Sequence, residues 1–417
     1  MVYVLCLSPG HDHQKHILSV ARVVGSALSF VACAACLSTP KRPVPTDSQP
    51  NSECGGTVEG KLSDGGAFGS GTLDGQPIVA DLNNDLRDDL ILWGREPVGD
   101  AMCPRVWVFY GHGNFTSLAH YDRRIDFATA IHAVSVGNVS SDNSNLNLMV
   151  LAESDGGDSL ARFDFFQSAT DPVIAPVVTV KNIGTGPYVL FEMFNKIIYV
   201  GGTIRYQVDL SQSPPGVGTI DSVAHDWANL LAADHDDDTA KMVAVFKDHA
   251  VLAAPGTLDL ATHANFSAGP IEQFVFARRA DLGLGPGQLY GVGVSATSEF
   301  AEFLSGGTTF VWANSLGAYG IAAAAAKIQR GPVAMTNTDA AVLTKNVVTG
   351  QLEVKLYEFA KSAPLAQVAV PAPANYIAAG KFRNNDPTEI GQLFVFATNP
   401  LSETCLEYGT NGLNVCN

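Results

Sequence analysis

Residues Pro77–Gly94 have the sequence PIVADLNNDLRDDLILWG, and Arg105–Phe115 have the sequence RVWVFYGHGNF. The first segment contains a short apolar strand, an acidic loop and a second apolar strand. The second segment is rich in valine and aromatic residues, which favour β-strands. Short apolar strands separated by polar turns are typical of antiparallel β-structure.

The same unit of strand, polar loop, strand, turn and strand recurs along the chain. Further copies begin near residues 133, 188, 229, 274, 322 and 376. The loops of the clearer copies begin at Asp81, Asn138, Asp234, Asp281, Lys327 and Lys381. The long interval between the second and third of these loops holds the copy near residue 188, whose own loop is shortened. The chain therefore contains seven units spaced roughly 50 residues apart.

A unit of this length, with three visible strands and room for a fourth, has the size of one β-propeller blade. We therefore predict an all-β fold, a seven-bladed β-propeller of four-stranded antiparallel blades over residues 55–417. The small residues of the first strands fit their crowding at an axis: Ala80, Gly137, Ala232, Ala322–Ala326 and Ala379. The alanine run favours a helix by propensity, but its place in the repeat predicts a strand.

Closure of such a ring requires the two ends of the repeat region to meet. We expect the segment Thr57–Thr72 to supply a strand to the last blade, so that N- and C-terminal segments pair. This pairing would remove two exposed sheet edges.

The first unit, VADLNNDLRDDLILW with VWVFYGHGNF, resembles an FG-GAP or VCBS-type repeat. This repeat forms the blades of integrin α-subunit propellers and of many bacterial surface proteins. The resemblance is specific in the first unit, weaker in the others, and covers about residues 55–417. It implies a propeller that carries calcium loops and binds a ligand.

The acidic loop of the first unit is a candidate calcium site. Asp81, Asn83, Asp85 and Asp89 supply oxygen ligands, and the carbonyl of Arg87 would complete the shell. Alternate residues of a tight loop point the same way, and such hard oxygen ligands suit Ca²⁺. The alternative is an acidic turn that is solvated and holds no ion.

The loop departs from the family pattern at one position and has one partial copy. Leu86 stands where the family usually has glycine, which predicts a strained turn or a weaker site. In the fourth unit Asp234, Asp236 and Asp238 align with the first three ligands, but Met242 replaces the last acid. Calcium there is the weaker expectation of the two.

The N-terminus has the features of an export signal. Val20–Ala32 is an apolar stretch too short to span a membrane, and small residues precede Cys33 and Cys36. This pattern resembles a bacterial lipobox, with Cys33 the better candidate for lipidation. We therefore predict a signal peptide at 1–33 and a flexible tether, rich in proline and serine, at 34–54.

The remaining cysteines are candidates for disulfides. Cys54 could pair with Cys103, and Cys405 with Cys416. An exported protein reaches an oxidising compartment, where both bonds can form.

Charge and missing motifs exclude several functions. The net charge of −16 repels phosphate backbones, so no nucleic-acid partner is expected. Gly55–Leu62, GGTVEGKL, has Leu62 where a phosphate-binding loop needs a hydroxyl, so no nucleotide is expected. Scattered histidines such as His132 are expected to lie in the core or in loops.

These features together predict a binding module of the bacterial envelope, lipid-anchored at the outer membrane or cell surface. Its partners would be an envelope glycan or protein, its cofactor structural calcium, and it would not be an enzyme. The alternatives are an envelope assembly scaffold and a polysaccharide lyase. Lys381, Arg278 and Arg279 would be the candidates for the lyase chemistry.

Overall fold

A computed structural model describes the following residues: 52–69, 71–137, 146–154, 157–165, 173–174, 178–180, 188–193, 196–201, 204–209, 216–220, 229–236, 241–253, 260–265, 270–277, 290–295, 300–304, 309–313, 318–326, 339–358, 361, 363–383, 391–398, 401–409 and 412–416. The predicted signal peptide, both candidate lipidation sites Cys33 and Cys36, and most of the predicted tether lie outside these ranges.

The described residues fold into seven antiparallel sheets, preceded by a short 3-10 helix at Ser52–Cys54. The first sheet contains β1 Lys61–Ala67, β2 Thr72–Leu73, β3 Ile78–Ala80, β4 Asp89–Val98, β5 Ala101–Phe109 and β6 His120–Asp126. The second contains β7 Ile131–Gly137, β8 Asn147–Ser154, β9 Gly157–Asp164, β10 Val173–Ile174 and β11 Val178–Val180.

Each of the other five sheets has four strands in chain order. The third contains β12 Tyr188–Met193, β13 Lys196–Gly201, β14 Ile204–Asp209 and β15 Gly216–Ile220. The fourth contains β16 Leu230–Asp236, β17 Lys241–Phe246, β18 His249–Ala253 and β19 Leu260–Asn265. The fifth contains β20 Ile271–Ala277, β21 Tyr290–Ser295, β22 Phe300–Leu304 and β23 Thr309–Ala313. The sixth contains β24 Ala318–Ala326, β25 Asp339–Asn346, β26 Leu352–Glu358 and β27 Ala366–Val370. The seventh contains β28 Tyr376–Gly380, β29 Gln392–Thr398, β30 Leu401–Gly409 and β31 Gly412–Val415.

The sheets follow one another around a common centre. Their leading strands β3, β7, β12, β16, β20, β24 and β28 contact one another in this order, and β28 also contacts β3. Apolar side chains fill the space between neighbouring sheets, for example between the first and second and between the sixth and seventh. The chain is therefore all-β and propeller-like.

The alanine run forms a strand, as its position in the repeat predicts. β24 pairs along its length with β25, with one irregularity between Gly320 and Ala322. Ala322 and Ala323 are completely buried. Tertiary pairing and burial therefore override the helix propensity of alanine at this position.

The expected strand exchange between the N-terminus and the last blade is wrong. β1 pairs with β6 of the first sheet, and β31 provides the last strand of the seventh sheet. The disulfide Cys54–Cys103 joins the start of the body to β5, and Ser63 donates a hydrogen bond to Asp126. These contacts hold the N-terminal segment on the first sheet, so this sheet has six strands instead of four.

Loop contacts join the first and seventh sheets instead of a shared strand. The amide of Asp88 donates to the carbonyl of Lys381 at 3.1 Å, and the amide of Lys381 donates to the Asp88 carboxylate. Phe115 stacks on Phe382 with ring centroids 5.0 Å apart. The side chain of Gln392 donates to the carbonyl of Phe115 at 2.8 Å.

Both candidate cysteine pairs are bonded in the structure. Cys54–Cys103 and Cys405–Cys416 have Cα separations of 5.2 and 5.3 Å, within the ordinary range for disulfides. Cys54 is buried in this bond, and the described residues before the predicted boundary at residue 55 form the 3-10 helix Ser52–Cys54.

We predict that the two disulfides differ in their contribution to stability. Cys54–Cys103 closes a loop of 49 residues and Cys405–Cys416 one of 11. Loop-closure entropy gives about 4 kcal/mol for the first and about 3 kcal/mol for the second. Urea unfolding of the alanine double variants measures both losses. A smaller loss from the Cys54–Cys103 pair than from the other would contradict the prediction.

Candidate functional site

A cavity of about 430 Å³ lies at the centre of the seven sheets. The leading strand of every sheet contributes to its wall. Alanines predicted to crowd the axis, including Ala232, Ala324 and Ala379, line it. Small side chains on several of the leading strands therefore leave space where the sheets converge, although the third and fifth sheets contribute Tyr188 and Phe274.

A pair of glutamines crosses the cavity wall. Gln273 donates a short hydrogen bond to the side-chain oxygen of Gln76. Gln76 in turn donates to the carbonyl of Ile377 at 2.8 Å, and the amide of Ala323 donates to Gln273 at 3.2 Å. These bonds connect four of the sheets, so the wall is rigid and polar on this side.

A second polar group lies where the second and third sheets meet. The imidazole of His132 on β7 stacks on the Tyr188 ring of β12, with centroids 4.4 Å apart. Both residues line the cavity. Behind His132, its Nε2 atom lies 3.5 Å from an oxygen of Asp158 on β9. The Asp158 side chain has no exposed surface, and among the residues that the structure describes neither of its oxygens has a hydrogen-bond partner.

The electrostatics of this group are set by burial. Burial, and after it the neighbouring Glu153 carboxylate, raises the pKa of Asp158 to about 7. Burial lowers the pKa of His132 to about 4, so the imidazole is neutral at pH 7. The sequence analysis placed His132 in the core or a loop and did not find this group, because its members come from three strands far apart in the chain.

The predicted lyase residues are only partly described. Lys381 lies at the end of β28 and lines the cavity. Arg278 and Arg279 lie outside the described residues. Lys381 therefore lies at the cavity, and it is the only one of the three predicted lyase residues that the structure describes.

The acidic loop of the first sheet is folded by its own polar side chains. The Asp81 carboxylate accepts hydrogen bonds from the amides of Asp85 and Leu86 at 3.1 and 2.8 Å. Asn83 accepts from the amide of Asp85, and Asp85 accepts from the amide of Arg87. The predicted ligands therefore lie in one tight turn.

Asp89 closes this loop from the start of β4. It is fully buried and accepts hydrogen bonds from the amides of Leu82 and Gly111 at 2.8 and 3.0 Å. Burial is the largest cause that raises the pKa of Asp89 to about 8, and the Asp81 and Asp85 carboxylates also raise it. Burial likewise raises the pKa of Asp81. A cation would offset the repulsion that these carboxylates share.

The donor types suit Ca²⁺, but the loop does not present a preformed metal cluster. Over the described part of the chain, no group of three or more His, Cys, Asp or Glu side chains is placed to hold a metal ion. The calcium site at Asp81, Asn83, Asp85, Arg87 and Asp89 therefore stays a prediction.

The second acidic loop is shorter than predicted. Asp234 and Asp236 lie within β16, where they pair with Val243 and Lys241, and not in a loop. Asp238 lies outside the described residues. Alternate residues of an extended strand lie roughly 6 Å or more apart. Asp234 and Asp236, the first two predicted ligands, therefore do not share a tight turn.

The departure of Leu86 from the family pattern has a structural consequence. Its φ angle is +70°, in the left-handed region that glycine adopts without steric cost. The Leu86 side chain is 69% exposed, so little packing offsets this strain.

We predict that Leu86→Gly stabilises the protein by about 0.5–1 kcal/mol, because it removes left-handed strain from an exposed leucine. Asn84→Gly is the matched control: Asn84 has a φ of +58°, and asparagine tolerates this region. Thermal unfolding should show a larger gain for Leu86→Gly than for Asn84→Gly. A loss of stability in Leu86→Gly would contradict the account of the turn.

We also predict a pH-dependent effect of Asp158→Asn. An unfolded aspartate has a pKa of about 3.9, whereas folding raises that of Asp158 to about 7. The folded protein therefore loses stability as pH rises from about 4 to 7, by at most about 4 kcal/mol for this group. Unfolding free energies of both proteins at pH 4 and pH 8 test this. Relative to the wild type, the variant should be more stable at pH 8 than at pH 4, and parallel pH curves would contradict it.

Comparison with known proteins gives likeness of fold only. No protein-family model matches the chain, and no curated protein is similar to it. A structural-genomics protein from Lactobacillus plantarum is 11% identical, with a TM-score of 0.43, over 76% of this chain and 96% of that one. Kluyveromyces lactis Hsv2p is 10% identical, with a TM-score of 0.46, over 82% of this chain and 98% of that one. Both are all-β proteins, and TM-scores below 0.5 support no further comparison.

Within the ranges that the structure describes, no helix has the length and apolarity needed to cross a bilayer.

Proposed function

We propose that this chain is a non-catalytic binding module of the bacterial envelope, built as a closed seven-bladed β-propeller. The cyclic order of contacts among the seven leading strands supports closure. The contacts of Asp88 with Lys381 support a closing joint between the first and seventh sheets. The resemblance of the first unit to FG-GAP repeats supports a role in recognition.

The central cavity is the proposed binding site, and a glycan is the proposed ligand. The observation that carries this is the cavity itself, with a volume of about 430 Å³, a size typical of small-ligand sites. Its wall combines alanines, which leave backbone and space accessible, with glutamine, histidine and tyrosine side chains. Such groups suit a sugar, whose hydroxyls need hydrogen-bond partners and whose C–H faces need apolar contact.

Export and lipidation complete the proposal. The apolar stretch before Cys33 supports a cleaved signal peptide, and Cys33 or Cys36 would carry the lipid. The two disulfides fit a protein that folds outside the cytoplasm. Ala34, which follows Cys33, supports sorting to the outer membrane by resemblance to bacterial lipoproteins.

Calcium is proposed as a structural ion only. Asp81, Asn83, Asp85 and Asp89 would hold it, with the carbonyl of Arg87. The ion would offset carboxylate repulsion and order the turn between β3 and β4. Binding of glycan would then weaken when calcium is chelated, because this turn adjoins Asp88 at the cavity.

The test is binding of the full chain to isolated envelope glycans, compared with a variant whose cavity is filled. Ala233→Phe places a large side chain in the cavity wall. Val348→Phe adds the same ring at a position that is 86% exposed, far from the wall strands in the turn between β25 and β26, and is the control. We expect at least a ten-fold loss of affinity for Ala233→Phe and no change for Val348→Phe.

Three outcomes would overturn the proposal. Unchanged binding in Ala233→Phe would remove the cavity as the site. Absence of glycan binding, with a protein captured from an envelope extract, would favour the assembly scaffold. Cleavage of any glycan would show that the chain is an enzyme.

A further inference from the structure

The group formed by His132, Tyr188 and Asp158 has a property that the proposed function does not use. It contains a buried carboxyl that has no hydrogen-bond partner among the described residues, and such carboxyls are rare in folded proteins. Over the described residues, no arginine or lysine pairs with Asp158; the His132 imidazole lies 3.5 Å from it, and Glu153 is its cross-strand neighbour on β8. The nearest other charge is the Glu153 carboxylate, which repels it.

The imidazole of His132 connects this carboxyl to the cavity. Its Nε2 atom is buried and faces Asp158, so the ionised carboxylate favours the tautomer that carries the proton on Nε2. About 20% of the His132 side chain remains exposed, on the rest of the ring. Nδ1 is then an unprotonated nitrogen, which can only accept a hydrogen bond. A ligand that approaches His132 from the cavity must therefore donate.

The charge around His132 selects among possible donors. Asp158 and Glu153 are both acidic, and the whole chain has a net charge of −16. The ring of Tyr188, stacked on His132, adds a π-surface that attracts cations. Negative charge, a neutral acceptor and an aromatic ring together favour a protonated amine over a neutral hydroxyl or an anion.

We propose that His132 and Tyr188, backed by Asp158, form a subsite of the cavity for a primary ammonium group. The ammonium donates a hydrogen bond to Nδ1 of His132 and offsets the buried negative charge behind it. This subsite rests on the proposed glycan-binding function and specifies its ligand as an amine-bearing sugar. The same chemistry would accept a small free amine.

The test compares three probes on the full chain by calorimetry at pH 7: a glucosamine tetramer, its fully N-acetylated counterpart and putrescine. Acetylation removes the positive charge and leaves the sugar rings unchanged. We expect the glucosamine tetramer to bind at least ten-fold more tightly than the acetylated one. If the glucosamine tetramer binds and putrescine does not, the amino sugar is the source of the ammonium group. If putrescine binds and the glucosamine tetramer does not, the source is a free amine.

Variants separate the subsite from general charge. Asp158→Asn should reduce affinity for the glucosamine tetramer about ten-fold and leave that for the acetylated tetramer unchanged. Asp64→Asn removes the same charge from a side chain that is 89% exposed on β1, and should change neither. Glu153→Gln tests the same electrostatic effect without changing the buried carboxyl, and should give a smaller loss in the same direction.

Two results would overturn the subsite. Equal affinity of the wild type for the charged and acetylated tetramers would remove the ammonium group from recognition while leaving glycan binding intact. Equal losses in Asp158→Asn and Asp64→Asn would assign the effect to net charge. If none of the three probes binds, the subsite fails, whereas the proposed function stands or falls on the envelope glycans tested with Ala233→Phe.

Discussion

Close packing of the leading strands around the centre is the constraint on which the rest of the structure depends. Strands that converge on one cavity leave little room for side chains, and alanines occupy many of the inner positions, beside larger residues such as Tyr188 and Phe274. At Gly380, an added Cβ would lie 2.8 Å from side-chain atoms of both Phe382 and Val79. With any larger residue at this position, the seventh sheet could not approach the first so closely. The contact between these two sheets therefore depends on Gly380.

The same constraint explains the two kinds of polar site. Loops that leave the leading strands are held close to the centre, where the Asp88 amide donates to the Lys381 carbonyl and the Lys381 amide donates to the Asp88 carboxylate. Side chains on these strands face the cavity, where His132 stacks on Tyr188. The acidic loop and the cavity wall are therefore parts of one framework.

The fold could be predicted from the sequence because the repeat places strands at regular intervals. The position of the alanine run within the repeat correctly predicted that it forms a strand, β24, although alanine favours a helix. The placement of β1 could not be predicted, because it depends on a disulfide and on cross-strand contacts with β6. No sequence pattern distinguishes pairing with the first sheet from pairing with the last.

The candidate sites were predicted unevenly for a related reason. The acidic loop is local, so the spacing of Asp81, Asn83 and Asp85 was enough to place them in one turn. His132, Asp158 and Tyr188 meet only because sheets two and three pack together, and each residue alone resembles ordinary core. A buried carboxyl without a partner is visible only once burial and hydrogen bonds are known.

The central claim is that seven sheets close around one cavity and that this cavity holds the ligand. A crystal structure of the full chain, soaked with the glycan that binds it most tightly, tests both parts together. The account predicts seven sheets in a closed ring, with ligand density at the centre against His132 and Tyr188. An open arrangement, a different number of sheets, or ligand density confined to the outer surface would contradict it.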